Sequence, residues 1–230
     1  MNRSLSLLLA LATAAPALAQ TPKMGGPMKH IAVHLHGNQL ECHVDPLVPM
    51  PRLQSYAETY SGAAAVLNGT FYNAQYGWMI EGVWSAPPGA SLWIECLTHS
   101  PTLEAYLAKT FVPIFGTQAS HASILWNGTM LHNWYTTTQP NGLFTASYRI
   151  YFGDANAVPL PDYLPGEVVL EWFAGCPADC ENDADLDIFD YLCFLDAFSS
   201  QDPYADFEND ADWDLFDFLA FQNAFAQGCP

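Results

Sequence analysis

Residues 178–198 and 205–225 are two copies of one segment, 27 positions apart. The first copy begins Ala178-Asp179-Cys180-Glu181-Asn182-Asp183-Ala184-Asp185-Leu186-Asp187-Ile188-Phe189-Asp190, and the second begins Ala205-Asp206-Phe207-Glu208-Asn209-Asp210-Ala211-Asp212-Trp213-Asp214-Leu215-Phe216-Asp217. Counting from Asp179 and Asp206, acids occupy positions 1, 3, 5, 7, 9 and 12 of both copies, with an apolar residue at 8. That register suits a hard divalent cation. A calcium loop takes side-chain oxygens from positions 1, 3 and 5, a main-chain carbonyl at 7, a ligand or ligand-bound water at 9, and a carboxylate at 12. A solvated acidic face has no reason to repeat in this register. The expected ligand sets are therefore Asp179, Glu181, Asp183, Asp185, Asp187 and Asp190 for one Ca²⁺, and Asp206, Glu208, Asp210, Asp212, Asp214 and Asp217 for a second.

Both copies depart from the usual loop in the same two ways. Position 6, normally Gly, is Ala184 and Ala211, at a cost of about 1–2 kcal/mol each if the left-handed turn is kept. Position 12 is Asp rather than Glu, so the helix that follows must start closer to the ion. The shared departures read as a variant cage rather than a decayed one.

The paired loop-and-helix repeats, bracketed by Cys176-Pro177-Ala178-Asp179 and Gly228-Cys229-Pro230, resemble a dockerin type I module, and more narrowly the GC-type dockerin-like module of planctomycete-type exported proteins. The resemblance covers residues 175–230. It implies a small all-α unit that binds a cohesin-like or surface scaffold protein, often in systems that break down polysaccharide.

The other end of the chain sets the compartment. Met1-Asn2-Arg3, the apolar run Leu5–Leu11 and Ala17-Leu18-Ala19 form the pattern of a secretory signal peptide, residues 1–19. Residues 20–28 read as a leader. The early apolar run is too short to span a bilayer, and no later segment qualifies. The expectation is a secreted or cell-surface protein with no transmembrane segment.

Charge narrows the partners. Residues 176–230 carry 14 of the 24 acids and no Lys or Arg. A chain of net charge -18 repels phosphate, which excludes nucleic acid as a partner. Six cysteines in an exported chain invite disulfides. Cys176 and Cys229 bracket the repeats, so a bridge between them would clasp the ends. Cys180 and Cys193 stand where the second copy has Phe207 and Ala220, and two positions that change together from apolar pair to Cys pair are expected in contact. Cys42 and Cys96 remain, giving a third bridge by elimination.

Residues 29–174 read as β. His30–His36 alternates, turns at Gly37-Asn38 and returns as Gln39–Val44, which sets Val33 opposite Cys42, Leu35 opposite Leu40 and His34 opposite Glu41. Further runs predict a hairpin of Ala63–Leu67 with Thr70–Tyr72, strands at Met79–Trp84 and Ser91–Leu97, a hairpin of Ile124–Trp126 with Met130–Trp134, and strands at Thr145–Phe152 and Glu167–Phe173. Leu103–Lys109 is the one helical candidate. Short strands punctuated by Gly, Pro and Asn point to an antiparallel β-sandwich.

No motif in this region identifies an activity. His34, His36, Glu41 and His43 share one face of the first hairpin, a zinc or copper nest or simply its polar outer face. Tyr72, Tyr76, Trp78, Trp84, Trp93, Trp126, Trp134 and Tyr135 would serve as sugar-stacking rings if exposed and as core if not. Glu41, Glu58, Glu81, Glu95, Glu104 and Asp154 are scattered, and Ser100 and Ser120 beside His99 and His121 lack a nucleophile-elbow context. No catalytic residue is assigned. The sequence favours a non-catalytic β part carried by a docking module, with a polysaccharide-binding or polysaccharide-hydrolysing protein as the alternative. In the module, Tyr191, Phe194, Phe218 and Phe221 are expected to stay partly exposed as the partner surface.

Overall fold

The computed structural model describes residues 21–56, 58–181, 185–208 and 212–228. In chain order its strands are β1 (Lys29–His36), β2 (Gln39–Val44), β3 (Arg52–Leu53), β4 (Phe71–Asn73), β5 (Tyr76–Ile80), β6 (Ser91–His99) and β7 (Glu104–Tyr106). There follow β8 (Pro113–Ile114), β9 (Ser123–Trp126), β10 (Leu131–His132), β11 (Trp134–Thr137), β12 (Gly142–Gly153) and β13 (Gly166–Ala174), and then two helices, α1 (Ile188–Ser199) and α2 (Leu215–Gln227). The chain is mainly β, with mostly antiparallel pairing, and ends in helix. No helix among the described residues is long and apolar enough to cross a membrane. The expected signal peptide lies outside the described residues.

Alternation decides the first hairpin. Val33 pairs with Cys42, His34 with Glu41 and Leu35 with Leu40, the register expected from the sequence. Ile31, Val33 and Leu40 are fully buried, while Gly37 supplies the positive φ of the turn. A one-residue slip would turn those three side chains to solvent, so the core itself holds the register.

Three sheets result, in strand orders β10-β5-β1-β2, β4-β11-β7-β8 and β3-β13-β12-β6-β9. β12 is the longest strand and pairs antiparallel with both β6 and β13. One apolar cluster joins all three sheets: Val33, Leu40 and Trp78 from the first, Ala105, Ile114 and Tyr135 from the second, and Ile94, Tyr148, Ile150, Leu170 and Trp172 from the third. Where β2 crosses the start of β13, Gly166 makes the approach. A Cβ there would lie 2.9 Å from the Leu40 carbonyl oxygen and 3.0 Å from Cys42 Sγ.

Four local expectations are corrected. Gly62–Leu67 is a 3-10 helix rather than a strand. Its three alanines offer a sheet nothing to pack, and the Asn68 side chain ties it down by accepting from Tyr60 N at 2.7 Å and donating to Tyr60 O at 2.9 Å. Leu103–Lys109 is not helical: its centre is β7, whose Ala105 N–H donates to Thr117 Oγ1 at 2.7 Å. The strand expected at Met79–Trp84 is Tyr76–Ile80, and the chain turns away at Gly82. The turn at Asn127-Gly128 does not close a hairpin. β9 pairs with β6 and β10 with β5, so this turn carries the chain from one sheet to another. Asn127 Oδ1 accepts from Thr129 N and Oγ1 there, a local bond that needs no paired strands.

The Cys42–Cys96 bridge does not form; both are free thiols. Cys42, on β2, lies against Gly166 of β13, whereas Cys96, on β6, pairs with Tyr148 of β12, the strand between β6 and β13. β13 and β6 stand about 10 Å apart across β12, so the two thiols pack beside strands that are not neighbours. Elimination failed because nothing obliges a buried pair of thiols to be partners.

Candidate functional site

The repeat supplies its own helix starts. Asp187 and Asp214 are N-caps, accepting from Phe189 N and Phe216 N, each at 2.7 Å. Asp190 and Asp217, three residues on, complete capping boxes by accepting from Asp187 N at 2.9 Å and Asp214 N at 3.0 Å. Carboxylates in the first turn also meet the positive end of the helix dipole.

The other oxygen of each position-12 acid reaches back into its loop. Asp190 Oδ1 accepts from Cys180 N at 2.7 Å and Glu181 N at 3.2 Å, and Asp217 Oδ1 accepts from Glu208 N at 3.0 Å. The two copies therefore fold the acids at positions 9 and 12 in the same way. Asp179, Asp190, Asp206 and Asp217 are all buried, at 3, 1, 4 and 1% exposure. Position 1 and position 12 of each loop thus remove two carboxylates from water in a segment that has no Lys or Arg. Burying an anion is costly unless a cation or strong donors compensate it. Glu181, Asp185, Glu208 and Asp212 are exposed, and Asp187 and Asp214 are half-buried. Asp183 and Asp210 lie outside the described residues. Among the described residues alone, no group of three His, Cys, Asp or Glu is assembled to hold a metal. The donor set nonetheless fits calcium in kind: oxygens only, two buried acids per loop, the same in both copies.

The helices pack on each other through rings. Phe194 and Phe221, equivalent in the repeat, are fully buried and stacked at 3.9 Å with an interplanar angle of 3°. Tyr191 stands edge-on to Phe221 at 5.5 Å and Phe218 at 6.2 Å. The expected partner surface is corrected accordingly. Phe194 and Phe221 are the core between the helices, and only Tyr191 and Phe218 are half-buried. Large apolar residues exposed on both helices are Ile188, Phe189 and Leu192 on α1 and Leu215, Phe216 and Leu219 on α2, at 62, 57, 53, 64, 59 and 42%, with Leu195 on α1 at 38%. The first three of each helix occupy equivalent positions, whereas the counterpart of Leu195 is Gln222. The spacing 190, 191, 194, 197, 198 marks the inner face. It is masked in the sequence because the outer face is apolar as well.

Cys180 and Cys193 form a disulfide, as the repeat comparison predicts. Phe207, the counterpart of Cys180, instead packs edge-on against Phe194 and Phe221. Cys176 is also disulfide-bonded, while Cys229, its expected partner, lies outside the described residues.

In the β region, Tyr72, Tyr76, Trp78, Trp126, Trp134 and Tyr135 are buried core, leaving Trp84 and Trp93 half-exposed, so the rings do not form a sugar platform. The hairpin histidines pair with acids. His34 Nε2 is 2.8 Å from Glu81, and His36 and His43 flank Glu41 at 3.9 and 3.7 Å. Glu95 is taken by Arg149, Glu58 by Lys23 and Glu104 by the Tyr106 hydroxyl. Comparison with family models, with curated proteins and with solved structures finds no match to this chain.

Proposed function

We propose that this chain is an exported protein whose residues 175–230 form a calcium-stabilised, dockerin-like module, and that the module docks a non-catalytic β-sandwich onto another protein. The observation that carries this reading is the buried acid pair of each loop, Asp179 with Asp190 and Asp206 with Asp217, on a segment without a basic side chain. A cation in each loop would offset that burial. The packing of one apolar cluster between the first sheet and the five-stranded sheet supports the sandwich.

The docking surface is the pair of exposed helix starts, Ile188-Phe189 and Leu215-Phe216, with Leu192 and Leu219 behind them. An exposed patch of large apolar side chains marks a protein partner. The surrounding acids set that partner's chemistry: an apolar recess with a basic or neutral rim, of the cohesin type the resemblance implies.

Calorimetry of the full chain in millimolar calcium should give two binding events, with Asp190→Ala and Asp217→Ala each removing one. Saturating calcium at several times a Kd on the order of 10⁻⁴–10⁻³ M should stabilise the helices by about 1–2 kcal/mol per site. Absence of any calcium heat overturns the reading. Phe189→Asp with Phe216→Asp should abolish capture of a cohesin domain while leaving both calcium events intact.

A further inference from the structure

A cavity lies where the β region meets the helical segment, bordering the second calcium loop at Asp206 and Phe207. It is a cleft of about 820 Å³ whose walls include Lys29, Arg52, Leu143 and Phe173 from the β region, and Tyr204 and Phe207 from the segment between α1 and α2. Only five Lys or Arg fall within the described residues, and two of them line this one space. In a chain of net charge -18 that convergence is unexpected.

No carboxylate among the described residues forms an ion pair with Lys29 or Arg52. Lys29 is 8% exposed, and its Nζ donates to the Val48 carbonyl oxygen. Burial lowers its pKa, opposed by the more distant charge of Asp45. The Arg52 guanidinium sits over the rings of Tyr204 and Phe207, 5.2 Å from each centroid, and burial lowers its pKa as well. Those rings engage the faces of the guanidinium, while its N–H edge makes no hydrogen bond among the described residues. An unused guanidinium edge is the fork that a carboxylate accepts in two parallel bonds. Of the two acids on the cleft wall, Asp202 Oδ1 accepts from Tyr204 N at 2.8 Å, and Asp206 is 4% exposed.

Size and lining suit an organic molecule better than a bare inorganic anion. Pockets for organic molecules run from about 300 to 1,000 Å³, mostly apolar with a few convergent polar groups. Val48, Met50, Leu143, Phe173 and Phe207 supply the apolar wall here. We propose that this cleft is a binding site for an organic carboxylate with an apolar body, its carboxylate received by Arg52 and Lys29 and its body lying against Phe173, Leu143 and Phe207. The site is separate from the docking surface and from the first calcium loop, and it meets the second loop at Asp206 and Phe207.

The test is binding of phenylbutyrate against its neutral analogue phenylbutanol, measured by saturation-transfer NMR titration on the full chain in millimolar calcium. Phenylbutyrate should bind at least tenfold more tightly than phenylbutanol. Arg52→Gln should remove that preference. Because this substitution also loosens a contact with the helices, Leu143→Trp provides an independent variant: Leu143 is 58% exposed on the cleft wall, and a larger ring there should block both compounds without disturbing the core. Failure of phenylbutyrate to bind, equal binding of the two compounds, or undiminished binding to Leu143→Trp overturns the proposal.

Discussion

Removing the Cys180–Cys193 bridge, and then importing the second repeat's own solution, measures how far the two copies are equivalent. The bridge spans a sequence separation of 13. Loop-closure entropy for such a span is about 3 kcal/mol. Cys180→Ala/Cys193→Ala should therefore speed amide exchange in α1 and α2 by ~10²-fold, since about 1.4 kcal/mol is a factor of ten. Cys180→Phe/Cys193→Ala copies Phe207 and Ala220 instead. Phe207 lies 5.6 Å from Phe194 and 5.5 Å from Phe221, and it is only partly buried. Its contribution belongs at the low end of the range for an apolar side chain, about 1.5 kcal/mol. The copied Phe should then recover about one factor of ten in protection. Hydrogen exchange read by mass spectrometry on the full chain in calcium resolves this, with peptides from β12 and β13 as an internal control. If the Phe variant exchanges as fast as the double-Ala variant, the two positions are not interchangeable and the repeat is a likeness of sequence only. If the double-Ala variant exchanges like the parent, the bridge does not hold the helices.

Three other perturbations have definite outcomes. Burial pushes the thiols of Cys42 and Cys96 up to about 12 and about 11, so neither should react with Ellman's reagent at pH ~8 in the native chain, and both should be labelled in denaturant without reductant; peptide mapping that finds them unlabelled would restore the bridge. His132 Nδ1 donates to Ala74 O at 3.0 Å, while its Nε2 is buried with no partner among the described residues, and burial lowers its pKa. The unfolded chain binds that proton more readily, so stability should fall as pH drops below about 6.5, and urea midpoints of His132→Gln should show a smaller drop between neutral and mildly acid pH. Gly166→Ala should destabilise the β region by about 1–3 kcal/mol in urea unfolding, because the new methyl meets the Leu40 carbonyl oxygen, which cannot swing aside.

What the sequence shows clearly is what repeats or alternates. The β1–β2 register follows from period-two alternation over a fixed turn, and the Cys180–Cys193 contact follows from comparing two copies of one segment. Both are local. The errors lie where a distant partner decides. Asn127-Gly128 has the composition of a hairpin turn, yet β9 and β10 find β6 and β5, strands far away in the chain. Phe194 and Phe221 look like surface rings because both faces of their helices are apolar, and only the packed pair shows which face is inner. The cleft was out of reach altogether. Arg52 and Tyr204 are far apart in sequence, and nothing near either marks their meeting.

The crossing of the chain between sheets has a consequence for the order of assembly. β1 lies parallel to β5, so Lys29 must find Tyr76, and β3 lies parallel to β13, so Arg52 must wait for Phe173, most of the β region later. Such pairings lose loop entropy before any contact repays it, and they form slowly. The two helices close around short loops and depend on near neighbours. On refolding with calcium present, the helical signal should return in an early phase while the β core is still searching for its register. The cleft, whose walls come from both parts, is then the last feature of the molecule to exist.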